Sequence, residues 1–205
     1  MSEMIIKGKE SIKLNSVAEI VGGQILTRVI SKNNDGTSVP VLMPKAINSG
    51  VILKNNLGEA ILEKDVKSDK YTRKGDVVIK LSTPYDAAYV MESEEGLLIP
   101  SFCAAIRITN NELMNAKYLT AYLNTSYVRN LLSLIVSDTN KPMIKINDIR
   151  LLEIPNVPAQ DMEDIGESYV LSGKKKEIML EMIRAEDNLM ENIVLTSIKE
   201  AMKHE

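Results

Sequence analysis

No proline follows Pro158, and from there almost to the C-terminus the apolar residues recur at helical spacing. Ile165, Tyr169, Ile178, Met182, Ala185, Leu189, Ile193 and Thr196 fall at steps of three, four or multiples near seven, the seam of a short coiled coil. A continuous helix from Gln160 to Lys203 would measure about 65 Å at ~1.5 Å per residue. A body built from the preceding ~150 residues is only about 35 to 40 Å across. The helix therefore cannot bury its whole apolar face by lying on that body, and something else is expected to cover it. Asn192, beside the seam, is the kind of polar residue that selects register at some cost in stability. Ser172-Gly173 is the weak point, since glycine inside a helix costs about 1 kcal/mol relative to alanine. A bend there, giving a helix pair that closes on its own body, is the alternative.

Charge divides the chain at the same border. The net charge of -3 is uneven: residues 1–155 hold 19 Lys and Arg against 17 Asp and Glu, and residues 156–205 hold 6 against 11. The larger part is thus slightly basic and can approach a polyanion, while the acidity belongs to the helical quarter. Two units are predicted, 1–157 and 158–205. No run approaches the ~18 apolar residues of a membrane helix and no signal-peptide core follows Met1, so a cytoplasmic protein without a membrane partner is expected. Cys103 is the only cysteine and His204 the only histidine, which leaves no disulfide pair, no Cys/His zinc set and no Cys–His or Ser–His couple.

Before the border the apolar runs are short and strand-like. Val17 to Val21 ends in Gly22-Gly23, Gln24 to Ile30 runs into the polar loop Ser31 to Gly36, Val39 to Met43 is bracketed by prolines, and Gly50 to Leu53 meets Asn55-Asn56. Val77 to Leu81 follows the turn Lys74-Gly75-Asp76, and Leu97 to Ile99 and Cys103 to Ile108 complete the candidates. Two helices are predicted, Glu112 to Asn124 and Thr125 to Val136, with apolar residues three and four apart. The fold class is α+β: a mixed sheet or partly closed barrel with packed helices, followed by a long C-terminal helix in a coiled coil.

Neither a phosphate-binding glycine loop nor an amino-methyltransferase motif is present; Thr83-Pro84-Tyr85 resembles the latter only superficially. Carboxylate pairs such as Asp161/Asp164 and Glu186/Asp187 sit on the acidic helix as a solvated face. What remains is a set of polar and basic loop residues: Arg28 with Lys32, Asn33 and Asn34; Arg73; Lys80 with Thr83, Tyr85 and Asp86; and Thr139, Asn140 and Lys141. Such groups touch phosphates and base edges, with Arg and Lys pairing to guanine acceptors and Asn to adenine. Singly each is an ordinary solvated residue, and only convergence on one face would make them a DNA-binding site. The segment Ser82 to Tyr89 reads equally as a binding loop and as a rigid turn set by Pro84.

The order of segments resembles a target recognition domain of the specificity subunit of type I restriction-modification systems. The similarity runs through Lys13-Leu14-Asn15-Ser16-Val17-Ala18-Glu19-Ile20-Val21-Gly22-Gly23, then Lys74-Gly75-Asp76-Val77-Val78-Ile79-Lys80, Leu98 to Ser101 with Ala105 to Arg107, and Tyr118 to Asn124. It closes in the run Ile144 to Pro155 with Pro158 and Gln160, where such a domain passes into its long helix. Members carry two recognition domains and two helices; one of each is matched here, over roughly residues 12–200.

The resemblance implies a non-catalytic subunit that reads double-stranded DNA and docks a DNA methyltransferase subunit and, through that assembly, a restriction subunit. It implies no cofactor in this chain, with S-adenosylmethionine held by the methyltransferase. It also implies a homodimer through the C-terminal helix, with Ile178, Met182, Ala185, Leu189, Asn192, Ile193 and Thr196 at the interface, reading an interrupted inverted repeat. A degenerate relative that docks or inhibits a methyltransferase without reading DNA is the alternative. Two departures stand out: the acidic net charge, and aromatics of only 4%, which argue against base stacking or flipping by this chain.

Overall fold

Short β-rich runs punctuated by Gly, Pro and Asn give short strands, and the computed structural model, which describes residues 11–33, 35–139 and 143–202, contains ten of them among those residues. In chain order the elements are β1 (Ser11–Lys13), α1 (Leu14–Val17), β2 (Ala18–Gly22), β3 (Thr37–Val41), β4 (Ile47–Asn48), β5 (Val51–Ile52), β6 (Gly58–Leu62), β7 (Val77–Lys80), β8 (Ala87–Tyr89) and β9 (Cys103–Ile108). There follow α2 (Ala116–Leu123), α3 (Ser126–Thr139), α4 (Ile146–Arg150), β10 (Glu153–Pro155) and α5 (Ala159–Ala201).

The centre is a four-stranded antiparallel sheet in the order β2-β9-β7-β8. Side chains alternate along its strands. Val77, Ile79, Ala104 and Ile106 pack on one side with Leu119, Leu123, Val128 and Ile149 of the helices. Val78, Cys103 and Ala105 pack on the other with Leu42, Ile47, Ile52 and Ile99. Both faces are covered, which explains the continuous apolar run Val77-Val78-Ile79. Three two-stranded ribbons surround the sheet: β1 with β10, β3 with β6, and β4 with β5. The last turns through Ser49 and Gly50, both at positive φ (34° and 110°), as tight hairpins require.

Several expectations need correction. No closed barrel forms among the described residues; the small ribbons are separate two-stranded sheets, and the β4–β5 turn touches the central sheet by a single bridge from Gly50 to Ala88. Gln24 to Ile30 is not a strand but a turn of 3-10 helix at Leu26–Arg28, flanked by single bridges at Gln24 and Ile30. Leu97 to Ile99 likewise makes only isolated bridges, from Leu98 to Val41 and Tyr71. The expected helices are present as α2 and α3, and Asn115 starts α2 by accepting the N–H groups of Lys117 and Tyr118 at 2.8 and 3.1 Å.

The long helix is a single element, not interrupted at Gly173. Its first half lies on the body, burying Met162, Gly166, Val170 and Gly173. A methyl group on Gly166 would fall 2.7 Å from the Tyr118 nitrogen, and one on Gly173 would fall 2.8 Å from Val51 Cγ1. Glycine at 173 therefore permits close approach rather than a break, and the continuous backbone hydrogen bonding outweighs its ~1 kcal/mol propensity cost. Lys117 pairs with Glu167 across the same contact. The body reaches the helix for the last time where Leu53, Lys54 and Asn55 meet Glu177, Leu180, Glu181 and Arg184.

Candidate nucleic-acid interface

At one end of the central sheet, β2 ends at Gly22, β7 at Lys80 and β9 begins at Cys103. The chain segments beyond those strand ends are stitched to each other by backbone hydrogen bonds. The Gly23 N–H donates to the Cys103 carbonyl (3.1 Å), Gln24 to Ile99 (2.7 Å) and Ser101 to Gln24 (2.8 Å). Leu81 donates to Phe102 and Ile144 to Leu81, each at 2.9 Å. Segments 22–28, 81–84, 100–103 and 143–147 thus form one surface. Gly23 makes it possible, because a side chain there would collide with the Pro100 carbonyl. The adjacent glycines that look like a weak turn signal serve this approach.

None of these four segments carries Asp or Glu, whereas Arg28 and Lys145 are both exposed. The nearby Asp148 carboxylate turns back to accept the Lys145 N–H at 2.7 Å. In a chain of net charge -3 this is a locally cationic edge. Thr83 is exposed on it, and Lys32 and Asn33 are exposed on the loop that follows Arg28, where the Ser31 hydroxyl accepts the Asn33 and Asp35 N–H groups. Arg73 is exposed at the opposite end of β7, in the turn where its N–H donates to Asp76. Thr139 ends α3, while Asn34, Asn140 and Lys141 lie outside the described residues.

Lys80, Tyr85 and Asp86 are brought together, but inside the fold. Tyr85 is only 2% exposed and sits in the main core, its φ of 58° a left-handed conformation that a bulky side chain keeps only when packing holds it. Asp86, 7% exposed, accepts from Lys80 Nζ at 2.8 Å on one oxygen and from Arg129 on the other. Arg129 also reaches the Ser49 hydroxyl (3.1 Å) and the Asn124 carbonyl oxygen (3.0 Å), joining α3 to the β4–β5 turn. Within Ser82 to Tyr89, Thr83 and Pro84 are exposed, Tyr85 and Asp86 are buried, and Ala87–Tyr89 is strand β8. Arg129 escapes sequence reasoning because its partners lie 43 and 80 residues away. Gln24 and Lys145 are missed because each stands alone among apolar or glycine neighbours, and Phe102 because an apolar residue beside a strand reads as core.

A second charged couple, Asp76 with Arg107, is also internal; burial raises the Asp76 carboxyl above its ordinary value, and Arg107 opposes that. Burial pushes the Cys103 thiol up to about 12, so it stays protonated. Among the described residues no group of three His, Cys, Asp or Glu side chains is placed to hold a metal ion, and no helix is long and apolar enough to cross a membrane.

The distal part of α5 is the other exposed surface. Every described side chain from Ile178 to Met202 is exposed, including Ile178 at 57%, Met182 at 66% and Leu189 at 60%, as are Ala185, Asn192, Ile193 and Thr196. Met179, Ile183, Met190 and Val194 are exposed too, so the apolar arc is wider than the seam read from sequence.

No protein-family model matches the chain, and no curated protein matches it in sequence. Solved structures do. The HsdS subunit from Thermoanaerobacter tengcongensis matches 87% of this chain with a TM-score of 0.60 and 21% identity, and a structure described as explaining complex assembly and conformational transition of the type I R-M system matches 91% with a TM-score of 0.61 and 19% identity. The S subunit of a type I restriction-modification system from M. genitalium matches 88% with a TM-score of 0.51 and 14% identity. The body and helix described above thus share the fold of type I specificity subunits. The chain spans 46%, 48% and 42% of the lengths of these three, just under half.

Proposed function

We propose that the chain is a sequence-reading, specificity subunit of a type I restriction-modification complex. The shared fold carries this reading, and the acid-free loop end supplies a surface suited to phosphate and base contacts. Residues 1–157 act as the recognition domain, with Arg28, Lys32, Asn33, Thr83 and Lys145 facing the duplex, joined by Thr139 at the end of α3 and by Asn34, Asn140 and Lys141. Lys80, Tyr85 and Asp86 act beneath that surface by holding its frame. Arg73, at the far end of the sheet, is not part of this contact.

Residues 158–205 act as spacer and dock. The exposed arc around Met182, Leu189 and Ile193 is covered by the equivalent helix of a second copy, in a coiled coil that leaves room for a DNA methyltransferase subunit. The chain itself transfers nothing; the methyl donor and the catalytic groups belong to the methyltransferase, and the restriction subunit joins the same assembly. Two recognition domains on a fixed spacer read an inverted repeat interrupted by unspecified bases.

The test is a binding selection. The purified chain, alone and with its DNA methyltransferase, is incubated with randomised duplexes at physiological salt and the bound fraction is sequenced. Enrichment of one interrupted motif is expected. Sequence-indifferent association or none, even with the methyltransferase present, would favour a docking or inhibitory module instead.

A further inference from the structure

Phe102 is the only phenylalanine in the chain, and the residue is 54% exposed. Exposed apolar residues are ordinary, but this one sits in the middle of the stitched loop end. It follows the Pro100-Ser101 turn, its carbonyl accepts the Leu81 N–H at 2.9 Å, and the preceding Ser101 is tied to Gln24 at 2.8 Å. Its backbone is therefore fixed on both sides while its side chain projects. The segments stitched to it carry the half-buried Gln24 and the exposed Ile25, Thr83, Pro84 and Lys145, with no carboxylate in any of the four segments.

Apolar tips ringed by polar donors and cations, on a rigid edge, are the groups that DNA-binding proteins press against base edges or between base steps. Gln24, one residue beyond the glycine that sets the loop, carries both a donor and an acceptor suited to a base edge. We infer that Phe102 is the apolar contact of this surface with the bases of duplex DNA, with Gln24 beside it as the polar one and Arg28 and Lys145 on flanking phosphates. The inference rests on the DNA-reading function proposed above, and it revises the expectation that this chain, poor in aromatics, makes no ring contact with bases. An apolar contact releases no counterion, so it differs from a cationic one in its salt dependence. A protein partner on the same tip would leave DNA affinity indifferent to the ring.

The experiment uses the full chain and its methyltransferase with a fluorescein-labelled 30-bp duplex of mixed sequence, and then with the motif that the selection recovers, by anisotropy across a salt series. Phe102→Ala is expected to weaken binding to the selected duplex by about tenfold, leave the slope of log affinity against log salt unchanged, and shrink the ratio of selected to mixed-sequence affinity. Phe102→Leu, which keeps an apolar tip, is expected to retain most of the affinity. Lys145→Gln is expected to lower the slope by about one and leave the ratio intact. Because Phe102 is exposed, the variants are expected to unfold at the wild-type temperature. A wild-type complex that binds while Phe102→Ala binds equally well, with the same ratio, overturns the role of the ring but leaves the DNA-reading function standing. A wild-type complex that binds no duplex overturns both.

Discussion

The Asp86 cluster and the Gln24–Phe102 surface stand at the same end of one sheet, and Thr83 and Asp86 are three residues apart, yet the two groups do opposite things with their polar atoms. Around Asp86 each formal charge meets another: Lys80 on one side, Arg129 on the other, with Ser49 and Asn124 completing the set. Around Phe102 the backbone is tied down, Ile25, Thr83 and Lys145 are exposed, and the half-buried Gln24 makes only a local bond, from its side-chain N–H to the Ile25 carbonyl at 3.2 Å. The difference teaches that charge in a loop does not mark a binding surface. What marks it here is a rigid backbone combined with side chains that meet no opposite charge inside the fold.

The comparison can be broken by mutation, and the largest effect belongs to the interior. Asp86→Ala leaves Lys80 and Arg129 partly buried without their shared carboxylate, which costs about 3 kcal/mol or more. Denaturant unfolding should show it as a lower midpoint with an unchanged slope. A midpoint equal to wild type would mean that the cluster is solvated and available for binding after all.

Gly23→Ala should act on both regions at once. The added methyl collides with the Pro100 carbonyl, so the Pro100 to Phe102 turn must shift. A stability loss of about 1 to 3 kcal/mol is expected, together with a fall in DNA affinity even for protein that is fully folded at the assay temperature. Arg28→Ala sharpens the contrast from the surface side, with a loss of about threefold to tenfold in affinity and a salt slope lower by about one. Its thermal midpoint should stay within about 1 °C of wild type, because surface substitutions of this kind change stability little.

The smallest effect concerns Glu94, whose carboxyl burial raises above its ordinary value, against the Met91 N–H that it accepts at 2.8 Å. A carboxyl with a raised pKa in the fold costs stability when ionised, so the wild type gains stability as pH falls through that raised value towards the unfolded one. Glu94→Gln removes the ionised form and keeps an acceptor. The variant should be slightly the more stable at pH 8, with the advantage shrinking as the pH approaches 5, followed by differential scanning calorimetry. An advantage independent of pH would show that the carboxyl is solvated.

Much of the architecture is legible in the sequence because it follows from short-range rules. The alternation and small residues of Cys103 to Ile108, the run Val77 to Ile79 and the three-and-four spacing in α2 and α3 all specify their elements locally. Gly173 misleads because propensity registers its cost while the reason for it, close approach to Val51, is tertiary. The strand pair Ser11–Lys13 with Glu153–Pro155 joins the two ends of the body and leaves no local trace beyond three residues on each side. The site divides the same way. Arg28, Lys32, Asn33 and Thr83 are exposed residues, but Tyr85 is drawn into the core and Asp86, with its partner Lys80, is engaged by Arg129, which only the fold brings near. The two halves of α5 repeat the lesson, since one periodic pattern covers a first half that packs on the body through glycines and a second half that displays Met182, Leu189 and Ile193.

The claim that this chain selects DNA sequence is tested most directly by base-resolved mapping of DNA methylation in the source cell with and without its gene. The account predicts that one interrupted inverted-repeat motif loses its methylation on deletion and regains it when the wild-type gene is restored. A methylation map that does not change on deletion would contradict it.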